Sequence, residues 1–172
     1  MASELQEKTI QEIERKWVLK RLPRDVFESN VEVIHLEYAY LEGKRFTKRT
    51  VAGKDSDYWI TTKKGEGLSR EESHKESHLE EFTKAKKDFY SNCLSKTRYT
   101  IFRDTFDIEI DYYHNFDLVT MEVEIEVDID ADHERAAERF ATESIHLPES
   151  VKSEIISEVT NLPGFSNKNL AE

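Results

Sequence analysis

The chain has 172 residues, with 25 Lys and Arg against 36 Asp and Glu and a formal net charge of −11. This length fits one domain, and the surplus of negative charge disfavours binding to long nucleic acids or anionic membranes. A single cysteine excludes an internal disulfide, and the first residues lack the apolar stretch of a secretory leader. We therefore expect one soluble, cytoplasmic domain over residues 1–172.

The first predicted element is a strand near the start of the chain. Its side chains alternate between two faces: Ile13 and Trp17 lie on one face, and Glu12, Glu14 and Lys16 lie on the other. Carboxylates at adjacent same-face positions repel each other, so this face needs an offsetting cation. A shorter helix near residues 23–30 follows.

A basic strand is predicted in the segment KRFTKR, which starts at residue 44. If Phe46 faces the apolar exterior, then Arg45, Thr47 and Arg49 point to the other side. A slip of one residue would turn Lys48 there instead. In the first of these two orientations, Arg45 and Arg49 share one face of the strand.

Three further segments place basic groups on one face of a strand. YWITTK ends at Lys63, LSREE contains Arg70 and Glu72, and SKTRYTIF carries Lys96 and Arg98 on one side. Cations that converge in an enclosed space require an anion. Phosphate suits such a set, because arginine offers forked donors and lysine a point charge.

Two acidic strands follow in the sequence. Residues 107–113 place Glu109 and Asp111 on one face, and residues 119–130 place a row that includes Glu122 and Glu124 opposite an apolar face. A half-polar strand taken alone most often turns its polar face to water. Paired carboxylates can instead share a hard divalent cation such as Mg²⁺ or Mn²⁺.

Helical spacing is confined to three places: residues 75–91, residues 132–145, and residues 149–160 after Pro148. Because most segments alternate with period two and few crossover helices separate them, the pattern predicts an α+β fold with an antiparallel sheet or barrel.

The stretch EIERK at residues 12–16 matches the ExExK signature of the CYTH superfamily, also called triphosphate tunnel metalloenzymes. Further elements follow in that family's order along nearly the whole chain: YLEG, KRFTKR, ITTK, LSREE, KTRY, EIDYY, MEVEIE and a closing FSNKNLA. The chain therefore resembles this family, and compact inorganic triphosphatases within it most of all. The resemblance implies an eight-stranded antiparallel β-barrel whose inward charged side chains form a tunnel for a triphosphate.

The resemblance also implies roles for individual residues. Divalent metal, Mg²⁺ or Mn²⁺, would be held by carboxylates: Glu12, Glu14, Glu109, Asp111, Glu122 and Glu124. The substrate phosphates would be bound by bases: Lys16, Arg45, Arg49, Lys63, Arg70, Lys96 and Arg98. Catalysis would rest on Glu12, Glu14, Lys16 and Glu72, with Glu72 orienting the basic groups.

Two departures from the family pattern weaken the exact assignment of the substrate. His74 stands where the pattern RxExE has its second carboxylate, and the closing segment has Pro163 and Gly164 before its aromatic residue, where a base often stands. His74 is either a group that titrates near neutral pH or a solvated residue at the end of a strand.

The function expected from the residues and the resemblance is metal-dependent hydrolysis of a small triphosphate, with inorganic tripolyphosphate as the first candidate. The alternatives are a class IV-type adenylyl cyclase, a thiamine triphosphatase and a non-catalytic module that binds a triphosphate or nucleotide. The His-Phe element of class IV cyclases is missing before Glu12, which argues against cyclisation. The expected partner is a small triphosphate, and similar proteins are often homodimers.

Overall fold

The computed structural model describes residues 8–28, 30–65, 68–88, 92–103, 106–127, 132–142 and 144–172. The strands of this part of the chain are β1 (Lys8–Leu19), β2 (Glu32–Leu41), β3 (Lys44–Val51), β4 (Asp57–Lys64), β5 (Ser69–Glu76), β6 (Cys93–Phe102), β7 (Asp107–Tyr113), β8 (Val119–Val127) and β9 (Ile155–Glu158). The helices are α1 (Leu79–Asp88), α2 (His133–Thr142), α3 (Glu149–Lys152) and α4 (Asn167–Leu170).

The strands form one antiparallel sheet that closes on itself. Its order is β5-β4-β3-β2-β6-β7-β8-β1, and an additional pairing of β1 with β5 completes the barrel. The short strand β9 lies outside this ring and pairs with the end of β1 at Trp17–Leu19. The predicted α+β fold with an eight-stranded antiparallel barrel is confirmed, with β9 as an extra strand.

The two faces of the barrel differ as the alternation predicts. The outer face of β1, β7 and β8 carries apolar side chains that pack together and against Phe140 of α2 and Val151 of α3; examples are Ile13, Ile108 and Val123. Their complete burial removes apolar surface from water, which is the main favourable contribution to folding. The charged faces consequently point into the barrel.

The turn between β2 and β3 sets the register of the basic strand. Glu42 and Gly43 both have positive φ, 50° and 74°, and Leu41 pairs directly with Lys44. This is the geometry of a two-residue type I′ hairpin, which matches the twist of the strands on either side. The turn places Arg45 opposite Tyr40, so Arg45 faces inward and the slipped register is excluded.

The prediction of a helix over residues 149–160 is wrong beyond its first turn. Helix α3 ends at Lys152, and Ile155–Glu158 forms strand β9 against β1. Two consecutive β-branched isoleucines favour a strand, and β1 offers them an unpaired edge.

The other helix predictions are confirmed in type, with changed bounds. Residues 75–91 contain α1, whose range is Leu79–Asp88, and residues 132–145 contain α2. The short helix near residues 23–30 is a single 3₁₀ turn, Arg24–Phe27. Residues 89–91 and 128–130 of the predicted elements lie outside the described residues. None of the helices in the described ranges has both the length and the apolar composition needed to cross a bilayer.

The closing segment folds back onto the interior of the barrel. Ser166 caps α4 by accepting a hydrogen bond from the backbone N–H of Asn169. Ala171 packs with Tyr38, Leu94 and Tyr113. One end of the barrel interior is therefore apolar and covered by the C-terminal segment.

Candidate functional site

The pairing registers place the predicted site residues on the inward face of their strands. Opposite pairs include Lys16 with Glu122, Glu12 with Arg70, Lys63 with Glu72, and Arg98 with Asp111. Side chains from β1 and from β3 through β8 therefore meet in the interior of the barrel, although these strands are far apart in the sequence. The barrel brings acids and bases close enough to interact directly.

Three carboxylates form a compact cluster in this space. Oxygens of Glu12, Glu14 and Glu124 lie within 4.8 Å of one another. Burial, followed by the charges of Glu12 and Glu109, raises the pKa of Glu124 to about 9. Burial and the charge of Glu122 also raise the pKa of Glu14. Neighbouring carboxylates resist ionisation because their negative charges repel each other, and a bound cation stabilises the ionised forms. This set of oxygen donors therefore fits a hard divalent metal.

Two bases lie beside the carboxylate cluster. The Lys63 ammonium donates to Glu12 at 3.0 Å and also contacts Glu72. Arg70 contacts Glu14 and lies 3.6 Å from Glu12. Burial opposes ionisation of Glu12, but Lys63 and Arg70 together hold its pKa below the usual value. Each of these carboxylates has a second oxygen, so ion pairing with a base leaves a donor for a metal.

A second network occupies the more deeply buried side of the interior. Asp111 is completely buried and accepts hydrogen bonds from Lys96 and from both Nε and Nη2 of Arg98. Glu122 pairs with Lys16 at 2.7 Å and with Arg98 at 3.1 Å. Burial opposes the ionised forms of Asp111 and Glu122, but these bases lower both pKa values.

Asp111 and Glu122 are therefore held by bases in this structure, and neither belongs to the three-carboxylate cluster. The predicted ligand roles of Asp111 and Glu122 stay predictions. Glu109 is intermediate: it pairs with Arg98, while burial and the charges of Glu122 and Asp111 raise its pKa to about 7.

The ion pairs of Asp111 predict a large effect on stability. In Asp111→Asn, the buried Lys96 and Arg98 keep their charges but lose a compensating anion. We expect the free energy of unfolding to fall by about 3–5 kcal/mol, as for other broken buried ion pairs. Urea denaturation followed by circular dichroism measures this change.

The matched control is Asp57→Asn. Asp57 pairs with Arg49 at 3.3 Å, and the Asp57 side chain is 57% exposed. An exposed pair contributes about 0–1 kcal/mol. Equal losses in the two variants would contradict the structural role of Asp111.

Arg45 differs from the other interior bases. Its guanidinium packs 4.8 Å from the centre of the Tyr38 ring, and it forms no ion pair within 4.0 Å among the described residues. Its buried Nε has no hydrogen-bond partner in the described part of the chain, and neither does the buried hydroxyl of Thr47. Buried donors without partners are costly, so this corner of the interior is suited to an anion.

Arg49 lies on the same face of β3 but nearer its end. It pairs with Asp57 at 3.3 Å and with Glu32 at 3.8 Å. Its charge is thus compensated locally by exposed acids. The structure does not bring Arg49 together with the carboxylate cluster.

His74 points into the barrel beside Glu72. Its Nε2 lies 3.2 Å from a Glu72 oxygen, and its Nδ1 lies 3.2 Å from the hydroxyl of Thr61. It is therefore a partly exposed residue with polar partners on the inward face of β5.

Sequence reasoning missed two groups that shape the interior. The ring of Tyr38 lies between Arg45 and Lys96, at 4.8 and 5.2 Å. Asn167 accepts hydrogen bonds from the Tyr113 hydroxyl at 2.8 Å and from Lys96 at 3.3 Å. The alternation that marked charged residues applies to Tyr38 as well, but nothing in the sequence places Asn167 inside a barrel.

Several solved structures share this fold. The inorganic triphosphatase NE1496 matches with a TM-score of 0.55 and 22% identity, covering 93% of this chain and 93% of that chain. The PH1819 protein from Pyrococcus horikoshii matches with a TM-score of 0.56 and 17% identity, covering 76% and 86% of the two chains. A conserved hypothetical protein from Pyrococcus furiosus matches with a TM-score of 0.51 and 13% identity, covering 84% and 94%.

No protein-family model and no curated protein matches the chain. At these identities, the structural matches establish the shared barrel fold.

Proposed function

We propose that this chain is a member of the CYTH superfamily and hydrolyses a small triphosphate, such as inorganic tripolyphosphate, with the aid of Mg²⁺ or Mn²⁺. The motif order along the sequence and the fold shared with the inorganic triphosphatase NE1496 support the proposal. The observation that carries it is the pairing, inside one barrel, of a three-carboxylate cluster with the adjacent bases Lys63 and Arg70.

The basic residues would bind and orient the phosphates. The Nε of Arg45 has no hydrogen-bond partner in the described structure, and Lys63 and Arg70 lie beside the carboxylate cluster. Together these side chains would neutralise charge on the leaving phosphate, which is the main demand of phosphoryl transfer.

The carboxylates Glu12, Glu14 and Glu124 would hold the divalent cation. When bound there, such a cation neutralises phosphate oxygens and makes a bound water more acidic. Asp111 and Glu122 would not touch the metal. Through their ion pairs they would instead hold the phosphate-binding bases in position, namely Lys96, Arg98 and Lys16.

An organic triphosphate such as thiamine triphosphate would need an aromatic side chain inside the barrel, and Trp17 does not supply one. Trp17 lies on the outer face of β1 in the apolar core, so it cannot stack on a group inside the barrel. An inorganic triphosphate makes no such demand, because its recognition depends on charge alone.

The proposal is tested by measuring phosphate release from tripolyphosphate, ATP and thiamine triphosphate with Mg²⁺ or Mn²⁺. We expect release from tripolyphosphate with either metal and none when a chelator removes the metal. Pyrophosphate release from ATP with formation of a cyclic nucleotide would favour the cyclase. Tight binding of a triphosphate without any release would favour sequestration.

A further inference from the structure

The side chain of Lys63 leaves one donor that the described contacts do not use. An ammonium group has three hydrogens, and Lys63 contacts one oxygen of Glu12 and one of Glu72. Its side chain is 29% exposed, in contrast to the completely buried Lys96. The third hydrogen of Lys63 is therefore available to an oxygen of a bound phosphate.

The availability of this hydrogen depends on the orientation of Glu72. This residue is almost completely buried, so both of its oxygens need partners. One oxygen contacts Lys63, and the other lies 3.2 Å from Nε2 of His74. If the second oxygen lost its partner, the carboxylate would rotate and engage a further hydrogen of Lys63.

Thr61 fixes the ring of His74 from the other side. The Thr61 hydroxyl is buried and lies 3.2 Å from Nδ1. A hydroxyl that donates to Nδ1 leaves the ring proton on Nε2, where it faces Glu72. The line of contacts runs from Thr61 through His74 and Glu72 to Lys63.

We infer that His74 is a positioning residue for phosphate binding: it holds one oxygen of Glu72 so that Lys63 keeps a hydrogen for the substrate. The inference rests on the proposed function, since it concerns the affinity for a triphosphate. His74 lies against Glu72 and Thr61, and neither of these residues belongs to the three-carboxylate cluster, so we expect it to affect substrate binding more than the chemical step.

The test compares His74→Ala with His74→Gln, because the Gln amide can donate to Glu72 whereas Ala cannot. For tripolyphosphate hydrolysis we expect the Ala variant to raise KM about tenfold, which corresponds to the loss of one interaction of moderate strength, while kcat changes less than twofold. The Gln variant should restore most of the affinity. His35→Ala is the matched control, since His35 lies on the outer face of β2 and stacks on His114.

An unchanged KM in His74→Ala would overturn the inference, and so would a loss of kcat alone. A second readout is independent of turnover: the NMR shift of the Lys63 ammonium in the metal-free protein should move in the Ala variant and stay near wild type in the Gln variant. If the wild-type protein neither hydrolyses nor binds tripolyphosphate, the proposed function fails. In that event the NMR shift of the Lys63 ammonium alone tests whether His74 positions Glu72. An identical shift in His74→Ala and the wild type would reject this positioning role.

Discussion

Replacing Glu124 by Gln should abolish metal-dependent hydrolysis while leaving the metal-free fold intact. Glu124 belongs to the cluster with Glu12 and Glu14, so the amide removes a charged ligand. We expect the rate to fall at least about 100-fold, since even indirect partners of a metal contribute 10- to 100-fold to its affinity or activity. Steady-state hydrolysis and calorimetric titration with Mn²⁺ measure the two losses.

The metal-free protein should tolerate this change because Glu124 is already protonated at neutral pH. Its pKa is raised to about 9 by burial, Glu12 and Glu109, in that order, and a Gln side chain resembles the protonated acid. A variant that unfolds at pH 7 would contradict the raised pKa.

The raised pKa of Glu124 also determines the direction in which the stability of the metal-free protein changes with pH. Between the ordinary pKa of a glutamate and about 9, the native state holds a proton that the unfolded state has lost. The contribution of this residue therefore falls as the pH rises toward 9, and it is largest below the unfolded pKa. Thermal unfolding at pH 7 and pH 9 should show a smaller decline in Tm for Glu124→Gln than for the wild type.

Replacing Arg45 by Ala should weaken triphosphate binding on the order of 10- to 100-fold, the range expected for a lost hydrogen bond to a charged group. The guanidinium has no acidic partner among the described residues, and its Nε has no acceptor. Glu12 keeps Lys63 and Arg70 as partners when Arg45 is removed, so the fold should survive. Calorimetric titration with tripolyphosphate measures the affinity.

Arg49→Ala is the control for this experiment, because it removes the same side chain from the same face of β3. Arg49 pairs with Asp57 and Glu32 near the end of the barrel, so we expect less than a threefold change in affinity. If Arg49→Ala weakened binding as much as Arg45→Ala, a general loss of positive charge would explain both results. The corner formed by Arg45 and Thr47 would then have no special role.

The alternation of charged and apolar residues predicted two-faced strands in an antiparallel sheet or barrel, and the family resemblance implied the closed eight-stranded barrel with its charged faces inward. The alternation is informative because a closed sheet offers side chains only two environments, the interior and the outer face. A shift of one residue in register would bury charges in the apolar core. The alternation fails at Ile155–Glu158, where the decisive contact is the distant edge of β1. No local pattern carries that information.

The candidate site could be predicted as a set of residues but not as a set of contacts. Glu122 and Glu124 are equivalent in the sequence pattern, yet Glu122 pairs with Lys16 and Arg98 while Glu124 lies with Glu12 and Glu14. The difference arises from the strands that neighbour each position. Register across the barrel decides which acids are held by bases and which remain for a cation.

The many pairings of β1 also bear on how the chain folds. Its partners are β5, β8 and β9, which begin at Ser69, Val119 and Ile155. Such distant pairings make folding slow, and a growing chain on the ribosome must hold β1 without partners until these strands are made. An unpaired strand is a template for aggregation, and charged side chains are a common protection. Glu12, Glu14 and Lys16 would thus protect the nascent chain before they serve the site.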